Sequence, residues 1–174
     1  MNTKTTATDA YLARAAAIHN KLTRLQQLAD DHFGSVSAYD FIEHVPRILP
    51  TPDGRATWFP FIGLMNEIWR VLAPGGRLYA LTPAYPNAAV FVDPTHVNFI
   101  TEHTHEYFSG DKPLGRIYGF EGGFRALRTE WVVNLDSLVA QPRTLRQSLR
   151  RWNRQRSGKL THFLWELEAL KPSR

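Results

Sequence analysis

Met65-Asn66-Glu67-Ile68-Trp69-Arg70-Val71-Leu72-Ala73-Pro74-Gly75-Gly76-Arg77-Leu78 is the stretch on which the fold turns. Phe61, Leu64, Met65, Ile68, Trp69, Val71 and Leu72 recur at spacings of three and four, the apolar stripe of a helix buried along one side. Pro74 cannot continue that helix, and the two glycines after it permit a tight turn. Arg77 to Thr82 then reads as a strand that Pro83 closes. A helix joined to a strand by so short a turn fits a crossover returning to a sheet, and it predicts an α/β layer structure.

Upstream, Pro46, Pro50, Pro52 and Gly54 mark residues 46 to 58 as a surface loop. Before the loop, Val36, Ala38 and Tyr39 read as a short buried strand, with Asp40 standing at its end. From Thr8 to Asp31 the pattern is helical, with Leu12, His19, Leu22, Leu25 and Leu28 at helical spacings and Gly34 as the stop. Residues 1 to 7 form a tail. The chain divides on this reading into an N-terminal tail and helix, 1–33, and an α/β domain, 34–174.

Downstream, residues 87 to 108 are mixed, with a short helix expected over 102–108, and 110–123 reads as loop. Phe124 to Val133 has strand character. Residues 143 to 159 suit a polar helix with Leu145, Leu149 and Trp152 on one side. Phe163, Trp165, Leu167 and Ala169 alternate with His162, Glu166 and Glu168, the period of a strand with one more exposed face.

Composition narrows the function classes. At 174 residues, 43% hydrophobic and 12% aromatic, the chain builds one real core. It has no cysteine, which excludes disulfides, thiolate metal sites and a thiol nucleophile and leaves His, Asp and Glu as ligands and acid/base groups. No apolar run reaches membrane-spanning length, and the N-terminal residues lack the apolar stretch of an export signal, so the expected location is cytoplasmic. The net charge of +5 belongs to one segment: Arg143 to Lys159 holds seven basic residues and no acid, and the rest of the chain is slightly acidic. That segment is either a solvated helix face or a surface for nucleic acid or an acidic partner.

Ligands in an α/β sheet bind beyond the carboxyl ends of its parallel strands. Two segments stand there: Asp40-Phe41-Ile42-Glu43-His44 after the first strand, and residues 82 to 96 after the second. Two readings of the first segment stand. In one, a helical turn beginning at Asp40 brings residues 40, 43 and 44 onto one face as an oxygen and nitrogen ligand set for Mg²⁺, Mn²⁺ or Fe²⁺, with Asp93 or His96 as a fourth ligand. In the other, Asp40 and Glu43 form a capping box and His44 is a half-buried polar residue. His44 or His96 is also a candidate general base without a metal, because imidazole titrates near neutrality. Asp93-Pro94-Thr95-His96 reads equally as a simple turn. His103 and His105, two apart, are not expected to act as a metal pair.

Taken together these segments resemble the later half of class I S-adenosylmethionine (SAM)-dependent methyltransferases. Residues 37 to 46 look like the segment around that family's strand four. The Glu67-x-x-Arg70-Val71-Leu72-x-Pro74-Gly75-Gly76 run looks like the helix, turn and strand five that follow. The resemblance implies a partial Rossmann-like methyltransferase sheet, equivalents of strands four to seven, preceded by an N-terminal helix. It implies SAM as cofactor, with Tyr39 and Asp40 at its site, and O-methyl transfer to a small-molecule or saccharide hydroxyl, with Tyr85 and Asp93 as acceptor contacts.

The acid-x-x-Glu-His pattern is similar to the metal motif of ubiquinone-type O-methyltransferases and small-RNA 2′-O-methyltransferases. Carried across, Asp40, Glu43, His44 and His96 are metal ligands for a divalent cation such as Mg²⁺, and His44 and His96 are the catalytic candidates. The first 33 residues contain no glycine, whereas the family places a glycine-rich SAM turn before strand four. The resemblance therefore implies a chain completed by a homodimer mate or a complementing subunit, or else a non-catalytic remnant that binds a partner.

Overall fold

The computed structural model of the protein describes residues 25–51, 53–133 and 144–171. The helix expected from Thr8 lies almost wholly outside these residues; its described end, 25 to 31, is a last helical residue followed by turns.

Helix α1, Pro60–Val71, is the helix that the stripe predicts. Pro60 occupies its first turn, where a missing N–H is harmless, and Phe61, Leu64, Met65, Ile68 and Val71 are buried along one side. The chain passes directly into a strand. Four strands, numbered in chain order with two short hairpin strands between, form the main sheet in the spatial order β1 (Phe33–Tyr39), β4 (Leu72–Tyr85), β7 (His162–Ala169), β6 (Phe124–Val132). β1 and β4 are parallel, with Ser37 opposite Tyr79; β7 is antiparallel to both of its neighbours. A short β5, Ile100–Thr101, extends the end of β4 in parallel. The β1–α1–β4 unit is the crossover expected from the turn chemistry.

Ala73 to Gly76 form a bulge inside β4: the register against β1 jumps from Phe33↔Leu72 to Ser35↔Arg77. Gly75 has φ +73°, and a Cβ on Gly76 would lie 2.9 Å from the Ala73 carbonyl oxygen and 3.0 Å from that of Phe33, so both positions need glycine.

Four sequence expectations are corrected. β4 starts at Leu72 without an intervening turn and runs through Pro83, which stands opposite His162, to Tyr85. The 46–58 loop contains a small hairpin, β2 (Leu49–Pro50) against β3 (Thr57–Trp58). The expected 102–108 helix is one 3₁₀ turn, Thr104–Tyr107. β7 is a central strand covered on both faces: Trp165 and Leu167 pack in the main core, Leu164 joins Leu81 and Val132 on the other side, and Glu166 is buried. The alternation there hides ion pairs, because Glu166 meets Arg77 at 2.9 Å and Arg128 at 3.2 Å, and Glu168 meets Arg125 at 2.6 Å. Helix α2, Leu145–Arg156, lies in the β6–β7 connection; it starts with a reciprocal Thr144–Gln147 capping box. Among the described residues no strand pairs with the outer edge of β1, and none forms a helix long and apolar enough to cross a membrane.

Candidate functional site

At the end of β1 the Asp40 amide still donates to the Leu81 carbonyl at 2.8 Å, but Asp40 itself adopts φ +45°. This left-handed conformation, which Asp tolerates better than most residues, turns the chain out of the sheet. The next residues form a 3₁₀ turn, Ile42–His44, whose cap position is Phe41 and makes no side-chain cap bond. The capping-box reading therefore fails. The same turn removes Asp40 from the face shared by residues 43 and 44, and its carboxylate faces His162 Nε2 at 3.1 Å instead.

Glu43, His44 and His96 do converge: each offers a ligand atom, and these atoms lie within 4.8 Å of one another. The two imidazole rings meet edge to face with centroids 4.9 Å apart, and His44 Nε2 is 4.0 Å from Glu43 Oε1. Long-range backbone bonds fix the arrangement, since the Glu43 carbonyl accepts from the amides of Val97 and Asn98, each at 2.9 Å. The buried Asn98 side chain also donates to the Ile42 carbonyl at 3.0 Å.

The hydrogen bonds assign the histidine tautomers. Thr95 Oγ1 gives its single proton to Asp93 Oδ1 at 2.7 Å, so toward His44 Nδ1, 3.0 Å away, it acts as acceptor and Nδ1 carries the proton. His96 Nδ1 lies 2.9 Å from the Val90 carbonyl oxygen, which only accepts, so that Nδ1 is protonated too. With Nδ1 so engaged, the neutral form of each ring presents its Nε2 lone pair, the form that ligates metals. Glu43 is fully buried. Its Oε2 accepts from Thr82 Oγ1 at 2.9 Å, while Oε1 is buried with no hydrogen-bond partner. Burial raises the Glu43 pKa, against opposing hydrogen bonds from the backbone and Thr82. A buried carboxylate oxygen without a donor, beside two imidazole nitrogens, is a donor set that could hold a cation.

Asp93 caps the turn that the sequence suggested, taking the Thr95 amide on Oδ1 at 2.7 Å; its Oδ2 is 3.9 Å from His96 Nε2. These hydrogen bonds from Thr95 lower its pKa. Tyr39 is partly exposed at the end of β1, and Tyr85, at the end of β4, is half exposed and lines a cavity of about 640 Å³. Phe59, Phe61, Phe91, Phe99, Tyr107 and Tyr118 make the aromatic walls. Arg47 joins the cavity to the cluster: its Nε donates to Asn98 Oδ1 at 2.6 Å, and its Nη2 donates to the Phe99 carbonyl. His103 is exposed, and hydrogen bonding to Glu106 raises its pKa; His105 lies apart, against Phe163 and Trp165. The two do not form a metal pair.

Sequence reasoning missed Thr82, Thr95, Asn98, Arg47 and His162. Thr95 precedes His96 and carries a local signal, as a hydroxyl beside an aspartate turn. His162 is 122 residues from Asp40, and only the sheet order β1–β4–β7 brings the two together.

No family model matches the sequence, and no curated protein matches it. Solved structures do. A SAM-dependent methyltransferase from Archaeoglobus fulgidus aligns with TM-score 0.50 at 14% identity, over 84% of this chain and 64% of that one. A Haloferax volcanii methyltransferase, solved in complex with a methyltransferase activator, aligns with TM-score 0.48 at 14% identity, over 83% and 57%. A sarcosine dimethylglycine methyltransferase from Galdieria sulphuraria aligns at 0.42 and 15%, over 95% and 67%. The fold is thus a Rossmann-like α/β sheet like that of the Archaeoglobus structure. The chain spans about two thirds of the length of the Archaeoglobus protein.

Proposed function

We propose that this chain forms the acceptor-side wall of a SAM-dependent O-methyltransferase that acts on a small-molecule hydroxyl. The observation that carries the reading is the convergence of Glu43, His44 and His96 at the carboxyl edge of β1 and β4, with one buried carboxylate oxygen lacking a donor. Glu43 Oε1 and the two Nε2 atoms would hold a divalent cation. With Asp40 turned toward His162, nitrogen supplies two of the three donors, which favours Mn²⁺ or Fe²⁺ over the oxygen-preferring Mg²⁺. A divalent cation held by these three residues would supply Lewis acidity toward an acceptor hydroxyl. Thr95 and the Val90 carbonyl hold the imidazoles in their ligating tautomer, and Thr82 fixes the carboxylate. The aromatic cavity next to the cluster suits a flat apolar acceptor better than a polyol saccharide, and Tyr85 and Arg47 offer it polar contacts.

For the methyl donor the described residues supply one wall only. Tyr39 and Asp40 stand at the strand end where SAM would lie, but no glycine-rich turn accompanies them among the described residues. The outer edge of β1, with which no described strand pairs, supports addition of the other wall there by a complementing chain. Calorimetric titration tests this in two parts. The chain alone is expected to bind Mn²⁺ and not SAM; SAM binding by the chain alone overturns the complementation, and absence of Mn²⁺ binding overturns the metal centre.

A further inference from the structure

Helix α2 is inverted relative to an ordinary surface helix. Leu145, Leu149 and Trp152 follow one another at spacings of four and three and so form one stripe, and they are 91%, 61% and 51% exposed. None of the helix's 12 residues is buried. The side turned toward the sheet is charged instead: Arg151 reaches Glu130 at 3.0 Å and donates to the Trp131 carbonyl. Arg146 borders the stripe, Arg156 continues it at its C-terminal end, and the exposed Arg150 and Arg154 carry the positive charge on around the helix, with no acid from Thr144 to Lys159. The Arg156 guanidinium lies 4.6 Å from the Trp152 ring centroid. A formed capping box and an ion pair to β6 hold the helix in this orientation, so the leucines face water because of how the helix is anchored.

We propose that α2 docks the protein on an anionic phospholipid surface. Leucines and a tryptophan enter the boundary between headgroups and acyl chains, and the surrounding arginines meet lipid phosphates, with the helix lying in the plane of the interface. Charge and apolar stripe together select this occupant. A nucleic acid would neutralise the arginines but leave three large apolar side chains in water. The helix also belongs to the edge of the sheet that carries the candidate site. It leads into β7, whose first residue, His162, faces Asp40, and Asn87 donates to the carbonyls of Gly158 and Leu160 at 2.7 and 3.2 Å. Docking through α2 therefore brings that edge toward the lipid.

The test is co-sedimentation of the full chain with vesicles of phosphatidylcholine, with and without phosphatidylglycerol. Binding is expected only to the mixed vesicles. Replacing Arg146, Arg150 and Arg154 with Gln is expected to weaken it on the order of a hundredfold, and L145S/L149S/W152S at least about tenfold. Both sets change exposed residues, and the melting temperature reports whether each variant folds. Should a variant not fold, Trp152 emission of the parent chain, taken as the difference from W152F, is expected to shift to the blue on adding mixed vesicles. Absence of that shift, equal binding by the leucine variant, or tighter binding to polyuridylate that the leucine variant retains would overturn the proposal. So would a dimer lost in the leucine variant.

Discussion

Thr82 donates its hydroxyl to one oxygen of Glu43 at 2.9 Å, and the other oxygen of that carboxylate is buried without a donor. A negative charge on that carboxylate would lack a second hydrogen-bond donor to offset it. Because the folded-state pKa of Glu43 is raised above its ordinary 4.5, the stability it contributes is present below that ordinary value and is lost as pH rises through the raised one. Ionisation of Glu43 therefore opposes folding unless a cation offsets it. Mn²⁺ at about a hundred times its dissociation constant should add about 2.7 kcal/mol, roughly 5–10 °C in melting temperature. E43Q should abolish this increment and, in chelator, melt above the parent by about 1 kcal/mol or more, since a neutral amide still accepts from Thr82. A parent chain whose melting is indifferent to Mn²⁺ would rule out the centre.

Thr95 should tune the same site without touching the ion. Its hydroxyl accepts from His44 Nδ1 and thereby keeps the Nε2 lone pair toward Glu43. T95V keeps the shape and removes the acceptor. Metal affinity measured by calorimetry should fall about 10- to 100-fold, the usual effect of losing such a support, while the metal-free melting temperature changes little. Equal affinities would assign Thr95 to the turn alone.

The parts of the fold legible in the sequence are those set by local rules. The α1 stripe and the Pro74-Gly75-Gly76 break fix a helix and a following strand within some 25 residues, and the crossover follows, although the expected turn is a bulge inside that strand. Glu43, His44 and His96 were legible as residue types standing after two strands. Asp40 leaves the expected face because its backbone takes the left-handed region, φ +45°, which no spacing of residue types reveals. β7 was misread for a related reason. Glu166 and Glu168 look solvent-facing by alternation, but arginines from β4 and β6 cover them, and those partners lie about 40 to 90 residues away.

His105 gives the pH response an opposite sign to Glu43. Its ring lies between those of Phe163 and Trp165, with centroids 6.4 and 6.2 Å away, and burial lowers its pKa below 6.5. A depressed folded-state value means the neutral ring's contribution is full above 6.5 and disappears as pH falls through the folded value. Thermal melts of the chelated protein should therefore lose stability on acidification from pH 7 to pH 5. H105F should flatten that slope, and an unchanged slope would place the acid sensitivity elsewhere. Protonation of Glu43, as pH falls through its raised pKa, works against the loss, so E43Q should steepen it.

Adjacent glycines at 122 and 123 should respond differently to the same added methyl group. A Cβ at Gly122 would lie 2.6 Å from Trp69 Cγ and 2.9 Å from Phe120 Cζ, whereas one at Gly123 meets nothing within 4 Å. The Trp69 ring has little freedom to withdraw, because its Nε1 donates to the Leu170 carbonyl at 3.1 Å and Lys171 Nζ sits 4.7 Å from its ring centroid. Overpacking of this kind costs about 1–3 kcal/mol. G122A should lower the denaturation midpoint accordingly without changing the slope, and G123A should stay within about 0.5 kcal/mol of the parent. Equal effects would mean that the 119–123 segment does not press on α1, and that Trp69 rather than the glycine sets the closeness of that contact.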